Sequence, residues 1–315
     1  MTSDKARLTF LGTGTSQGVP IIGCRCPVCR SADPKDKRYR SSALIEYGGL
    51  NILVDAGPDF RSQMLRQGVT HLDAVLLTHN HKDHTGGLDD LRSLNYTDRR
   101  CADIYCEQNV FEDLVREYPY VFNFPKYPGA PEWRIHVIDE NPFLAYSSDN
   151  GMELIWVRGS GYRLRCPDGT LISTGDSLQD VVDKADPASL EHSTSGVKII
   201  PIRGMHGNLP VLGFRFGDIA YLTDMKTIPE SEFEKLKGLK HVTLNTVGYN
   251  PHHSHFSLEE TLEMAERIGA ENTWLTHLSH TFPSHDDFKE EIRELCESKG
   301  IHSRILPAYD GLTLE

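Results

Sequence analysis

Residues Thr78-His79-Asn80-His81-Lys82-Asp83-His84 constrain this chain more than any other stretch. They follow the apolar run Ala74-Val75-Leu76-Leu77, which reads as a buried strand, and precede Thr85-Gly86-Gly87. Neutral imidazole and carboxylate are preferred ligands of divalent metals. Side chains at i, i+2, i+4 and i+5 of a tight loop can converge on one side. Four such ligands suit two adjacent ions better than one, because a single closed structural site leaves no position for water. The competing reading is a solvated His-rich loop, against which stand the density of ligands and their anchoring to a strand.

Further ligand types recur at strand ends. The runs Asn51–Val54, Val197–Ile202, Ile219–Thr223 and Thr273–Thr276 each read as strands. They lead into Asp55, His206, Asp224 and His277, with His252, His253 and His255 in a polar loop before a helix at 257–268. Asp55 can be read either as the partner that orients a ligand histidine or as a turn former. The glycine-rich Gly12-Thr13-Gly14-Thr15-Ser16-Gln17-Gly18 misses the spacings of both dinucleotide and phosphate loops. It is expected to be a tight turn that brings backbone near the site. Cys24-Arg25-Cys26-Pro27-Val28-Cys29 has the spacing of a zinc knuckle with one ligand missing, which must come from elsewhere; reduced surface cysteines are the alternative. The odd total of seven cysteines argues against a disulfide framework.

The remaining elements are expected as a hairpin over 42–54, helices at 59–67, 86–95 (capped by Thr85), 108–118, 229–236 and 285–297, and strands at 8–11, 103–106, 212–216 and 241–246. A last strand pair is expected at 304–306 and 311–314. The aromatic and proline-rich 119–131 reads as a rim over the site, a homodimer contact or a packed surface loop. Composition shifts over 142–195, read as an inserted β-hairpin subdomain with strands at 154–158, 162–165 and 170–173 and a helix at 177–184. Cys166, Asp176 and His192 within it read as structural. The whole, 1–315, is expected to be one hydrolase domain.

A formal charge of −12 on 315 residues opposes binding of long nucleic acid, whose affinity comes from neutralising phosphates. No apolar run reaches membrane-spanning length and the first residues lack a signal-peptide core, so a cytoplasmic protein is expected.

The string His79-Asn80-His81-Lys82-Asp83-His84, with His206, Asp224 and His277 following, resembles the metallo-β-lactamase superfamily. That resemblance implies an α/β fold, a four-layer αββα sandwich with metals at one edge. It implies one ion on His79, His81 and His206, a second on Asp83, His84 and His277, and Asp224 bridging. Zinc, manganese or iron would serve. A hydroxide shared by the ions would attack phosphorus in line. Leu11-Gly12-Thr13-Gly14-Thr15-Ser16-Gln17-Gly18-Val19-Pro20, followed by the knuckle, is similar to the cyclic phosphodiesterases of the carbon–phosphorus lyase pathway, which open 5-phosphoribosyl 1,2-cyclic phosphate. That narrower resemblance implies a structural zinc on Cys24, Cys26, Cys29 and His280. It also places His255 as the non-ligand histidine that works on the phosphate.

The expected activity is therefore phosphodiester hydrolysis on a small cyclic or diester phosphate, with Asp83, Asp224 and His255 as its catalytic residues. The 142–195 insertion is a departure that could reshape the substrate pocket. The alternatives are a tRNA 3′-processing nuclease, a thioesterase or lactonase on the same fold, and a metal-binding sensor without turnover. The knuckle, the acidic charge and the lack of a basic arm count against the nuclease. A complete ligand set counts against the sensor.

Overall fold

Apolar residues alternate along the strands, and the two sets face opposite ways. The computed structural model describes residues 5–98, 101–123, 129–145 and 196–315, the strand backbones 153–157, 161–165 and 171–175, and residue 184. β1 (Arg7–Gly12), β2 (Ser42–Tyr47), β3 (Leu50–Val54), β4 (Ala74–Leu76), β5 (Ala102–Cys106) and β6 (Trp133–Val137) come first. After them run β7 (Phe143–Ala145), β8 (Glu153–Val157), β9 (Gly161–Arg165), β10 (Leu171–Gly175) and β11 (Val197–His206). The rest are β12 (Leu209–Phe216), β13 (Ile219–Tyr221), β14 (His241–Asn245), β15 (Asn272–Thr276), β16 (Arg304–Pro307) and β17 (Thr313–Leu314).

Two seven-stranded sheets result, ordered β17-β1-β2-β3-β4-β5-β6 and β16-β15-β14-β13-β12-β11-β7. Leu8, Phe10, Ile45, Ile52, Val54 and Leu76 of the first meet Leu212, Phe214, Phe216, Ile219 and Tyr221 of the second in a shared core. The alternate residues Leu44, Leu53, Val75 and Ile104 turn outward under the helices Phe60–Gln67 and Gln108–Glu117. On the other side Val211, Ala220, Leu222, Val242 and Leu244 pack beneath Leu258–Ile268 and His285–Lys299. This is the expected helix–sheet–sheet–helix sandwich. Each sheet starts antiparallel and turns parallel, from β3 through β6 and from β13 through β16. Parallel strands deliver their C-terminal ends to one edge, where an open α/β sheet places its ligands.

Several elements differ from expectation. The helix foreseen over 86–95 is broken into a turn at Lys82–Thr85, a 3₁₀ turn at Leu88–Leu91 and a helix at Arg92–Asp98. Gly87 N donates to Ala56 O at 2.8 Å, and a Cβ at Gly87 would lie 2.1 Å from Gly57 O. The chain is pinned to the turn after β3 at the point where a continuous helix would have to start. Thr85 ends a turn rather than capping a helix; its hydroxyl donates to His81 O. Segment Glu230–Leu236 is 3₁₀ rather than α. The two last strands do not pair with each other: β16 joins β15 and β17 joins β1. Between them Ala308 N donates to Leu275 O and Gly311 N to Phe10 O, so the closing turn crosses from one sheet to the other. Pro119–Phe122 forms a helical turn, with Phe122 against Phe111 and Trp133; 124–128 lie outside the described residues.

Within 142–195, β7 pairs with β11 as part of the second main sheet. β8, β9 and β10 form a separate antiparallel sheet close to the strands expected there. Cys166, Asp176, His192 and all but residue 184 of the expected helix 177–184 lie outside the described residues.

Candidate metal centre

Three non-glycine residues among those described have left-handed backbones, and all three stand at the mouths of parallel strands. They are Asp55 after β3 (φ 62°), Asp224 after β13 (φ 56°) and His277 after β15 (φ 57°). Such conformations cost of order 1–3 kcal/mol each and persist where the surroundings hold them. Here they turn the chain so that each side chain joins one buried cluster. Gly57 assists: a Cβ on it would lie 2.0 Å from Asp83 O, so only glycine lets the 81–84 turn lie against the end of β3.

The cluster brings together His79, His81, Asp83, His84, His206, Asp224 and His277, with His255 against them. His79 and His84 are fully buried, with rings 4.2 Å apart. His81, nearer solvent, stands 4.6 Å from His79 and 5.1 Å from His206. Asp224 is buried at the centre, its Oδ2 3.3 Å from both His84 Nε2 and His277 Nδ1. Asp83 Oδ2 lies 3.3 Å from the same His84 nitrogen. His255, also buried, stacks on His277 at 4.6 Å and approaches His206 at 4.5 Å, with Nδ1 3.7 Å from Asp224 Oδ1. His252 lies 5.1 Å from His255, while His253 is exposed.

Neighbouring polar groups hold the rings, and for His277 the nitrogen held is the same Nδ1 that faces Asp224. His84 Nδ1 meets Asp55 Oδ2 at 2.7 Å, and Asp55 Oδ1 accepts from Thr78 N at 2.9 Å. Asp55 is thus the partner that orients a histidine, which resolves the two readings of it. His206 Nδ1 donates to Ser254 O at 2.9 Å, His79 Nδ1 contacts Thr78 Oγ1 at 2.9 Å, and His277 Nδ1 contacts Ser41 Oγ at 3.2 Å. Thr223 Oγ1 donates to Asp224 Oδ2 at 2.6 Å. Ser41, Ser254 and Thr223 had no sequence signal, since they act through single bonds made only in the fold. Thr78 belonged to the opening stretch but carries no ligand chemistry.

Electrostatics follow from this packing. Burial opposes charge on His84, but Asp224, Asp55 and Asp83 together hold its imidazolium well above the usual histidine range. Burial likewise opposes charge on Asp224, yet His277 and His84 keep it well below the usual carboxylate range. Burial lowers His79, His206 and His277, and with His277 beside it His255 is pushed down to about 2.

A divalent metal fits this donor set. His79 Nε2, His84 Nε2 and His255 Nδ1 are buried with no hydrogen-bond partner, an arrangement that is costly unless something else meets those atoms. The 3.3 Å approaches to His84 Nε2 are ion-pair distances, not hydrogen bonds, as for donors aimed at a common point. Ligand atoms of His79, His84 and Asp224 lie within 4.8 Å of one another, as do those of His206, Asp224 and His255. Asp224 is common to both groups. This shortest-distance grouping differs from the division that resemblance implied: it includes His255, which resemblance set apart from the ligands, and leaves out His81, Asp83 and His277.

A second cluster lies one loop away. Ligand atoms of Cys24, Cys26, Cys29 and His280 are within 4.8 Å of one another, with His280 Nδ1 3.3 Å from Cys24 Sγ and 3.5 Å from Cys26 Sγ. Ile21 N and Cys29 N donate to the Cys29 and Cys26 sulfurs. The Cys29 amide and His280 draw the Cys26 thiol down to about 6. Leu278 N donates to Thr13 O at 2.8 Å, so the glycine loop is tied between the two clusters.

A cavity of about 480 Å³ opens over His255 and His277. Thr15, Ser16, Gln17, Ile21, the segment 247–252 and Ser279, His280 and Thr281 line it with them.

The sequence model of the beta-lactamase superfamily domain matches residues 50–173 and 176–278. An octanoyltransferase of Porphyromonas gingivalis is 37% identical over 309 residues, 97% of this chain but 51% of that protein. The chain thus spans about half the length of that curated relative. A crystal structure described as a new diphosphatase from the PhnP family superposes with a TM-score of 0.74 at 31% identity, covering 99% of this chain and 98% of that one. Zinc-bound PqqB from Methylobacterium extorquens superposes with a TM-score of 0.62 over 98% of this chain and 99% of its own, at 17% identity, a likeness of fold alone. Among the described residues no helix is long and apolar enough to cross a membrane.

Proposed function

The chain belongs to the metallo-β-lactamase superfamily, and on that premise we propose that it is a two-metal phosphodiesterase of small cyclic or diester phosphates. His79, His81 and His206 would hold one ion, Asp83, His84 and His277 the other, and Asp224 would lie between them. Zinc, manganese or iron suits imidazole and carboxylate. Such a pair supplies activated water and neutralises charge building on phosphoryl oxygens. Cys24, Cys26, Cys29 and His280 would hold a zinc that stays out of turnover.

The chain's own residues do the rest. Asp55 and the Ser254 carbonyl fix His84 and His206 through the nitrogens that face away from Asp224. The cavity admits a small substrate over His277. His255 meets the phosphate there by donating an N–H to a phosphoryl oxygen, the role open to an imidazole that burial keeps neutral. Its placement carries the proposal: a buried imidazole nitrogen without a partner, lining the cavity beside Asp224. Hydrolysis of a thioester or lactone calls for nothing at 255 to handle phosphate. The full-length similarity to a PhnP-family diphosphatase supports chemistry at phosphorus.

The name of the Porphyromonas gingivalis relative invites an acyl reading. That name belongs to a protein of which this chain covers about half, and the octanoyl thioester arm of the screen below tests the acyl reading directly. His255→Ala should keep the metal content of the wild type while hydrolysis of bis(p-nitrophenyl) phosphate falls by about 10- to 100-fold. Unchanged turnover would refute the role, and loss of bound metal would make His255 a ligand. A screen with octanoyl thioester, pre-tRNA and cyclic phosphates alongside tests the alternatives.

A further inference from the structure

Tyr249 is an exposed aromatic fixed beside the candidate centre. It is 43% exposed and lines the cavity together with His252 and His255. Its ring packs edge-to-face on buried Phe282 at 5.0 Å, and Phe282 in turn stacks on Phe288 at 4.3 Å. Its hydroxyl donates to Glu291 Oε2 at 2.9 Å, on the helix His285–Lys299. The loop that carries it is closed at its base, Val247 N donating to Phe256 O at 3.2 Å and Leu258 N to Gly248 O at 2.8 Å. Tyr249 and His255 therefore belong to one braced loop, so their separation is set by the fold. Thr15, Ser16 and Gln17 line the same cavity, and Asn250 adjoins Tyr249. Among the described residues lining this cavity none is Lys, Arg, Asp or Glu.

We propose that Tyr249 is a specificity-determining platform for an uncharged ring with a polar edge, carried on the alcohol side of the phosphate. This rests on the phosphodiesterase reading above. An apolar face held rigid loses little entropy on binding. Stacking on an aromatic is worth several-fold to a hundredfold in affinity, while Gln17 and Asn250 offer both donors and acceptors to the ring's edge. A nucleobase or a sugar ring has that chemistry. A simple alkyl group has no face to stack and no edge to bond.

The test compares three substrates followed by ³¹P NMR: 2′,3′-cyclic AMP, ribose 1,2-cyclic phosphate and glycerol 1,2-cyclic phosphate, the last with no ring beyond the phosphate. Binding of AMP and ribose 5-phosphate is measured by calorimetry in parallel. Tyr249→Ala should raise KM tenfold or more for a ring-bearing substrate with kcat within threefold, and leave glycerol cyclic phosphate within twofold. Tyr249→Phe should restore the wild-type KM, because it keeps the ring and loses only the bond to Glu291. A base preference appears with the adenine compounds alone, a sugar preference with both. The proposal is overturned if Tyr249→Ala changes all three substrates in proportion, which marks a merely structural side chain, or changes none. It is also overturned if the wild type favours no ring-bearing compound in turnover or binding. If the wild type turns over none of the three yet binds AMP or ribose 5-phosphate tenfold tighter than Tyr249→Ala, the phosphodiesterase reading fails and the platform stands.

Discussion

Asp55 shows how much of the site depends on one side chain that touches no substrate. Its carboxylate takes Thr78 N on one oxygen and His84 Nδ1 on the other, from a left-handed backbone. That bond would keep a proton on His84 Nδ1 when a metal displaces the one on Nε2, so that the Nε2 lone pair meets the ion beside Asp83 and Asp224. Asp55→Asn preserves shape but presents a donor to one of these partners. If it faces His84, the ring must move its proton to Nε2 and loses its free lone pair. Affinity for the catalytic metals should then fall about 10- to 100-fold, read by competition with a chromogenic chelator, with circular dichroism unchanged. Wild-type affinity in that variant would show that His84 needs no such orientation. Asp224 and His277 share the left-handed backbone. Strained geometry concentrated on these three residues is what a preorganised site requires.

At the scale of elements, the site is a set of strand ends and two clusters joined by a short loop. His277 closes one cluster and His280 the other, while Leu278 between them bonds Thr13. Cys26→Ser should therefore lower the melting temperature by several degrees and release one zinc, while surviving folded enzyme keeps most of its turnover; thermal scanning with metal analysis checks both. A stable variant with normal zinc would contradict the knuckle. The ligand loop was legible because its residues are contiguous and follow an apolar run. The later members of the cluster, His206, Asp224 and His277, were legible as candidate ligands from their strand-end positions and a family resemblance. What was not legible depends on contacts distant in sequence: the break of the helix after Thr85, forced by Gly57 and Gly87, and the parting of the last two strands between sheets. The hydrogen bonds of Ser41 and Ser254 to ligand rings are of the same kind. Asp55 was ambiguous for a related reason, since an aspartate at a strand end serves turns and ligands alike.

The whole molecule reads as two similar halves, each an antiparallel meander that becomes parallel, packed face to face so that both parallel ends open on one edge. The first half supplies Asp55 and the His79–His84 loop, and the second supplies His206, Asp224, His255 and His277. Neither half holds a complete site, so metal binding should couple to the docking of the two sheets. On the proposed reading, a net charge of −12 around a metal-filled cluster would favour small phosphates at one place over polyanions along a surface. The most direct test of this account is the metal content per chain of protein purified without chelator, measured by inductively coupled plasma mass spectrometry for the wild type and Asp224→Ala. The account predicts about three ions in the wild type, with the ions lost from Asp224→Ala coming from the catalytic pair and the knuckle zinc retained. One ion or fewer in the wild type, or an Asp224→Ala protein with the full count, would contradict it.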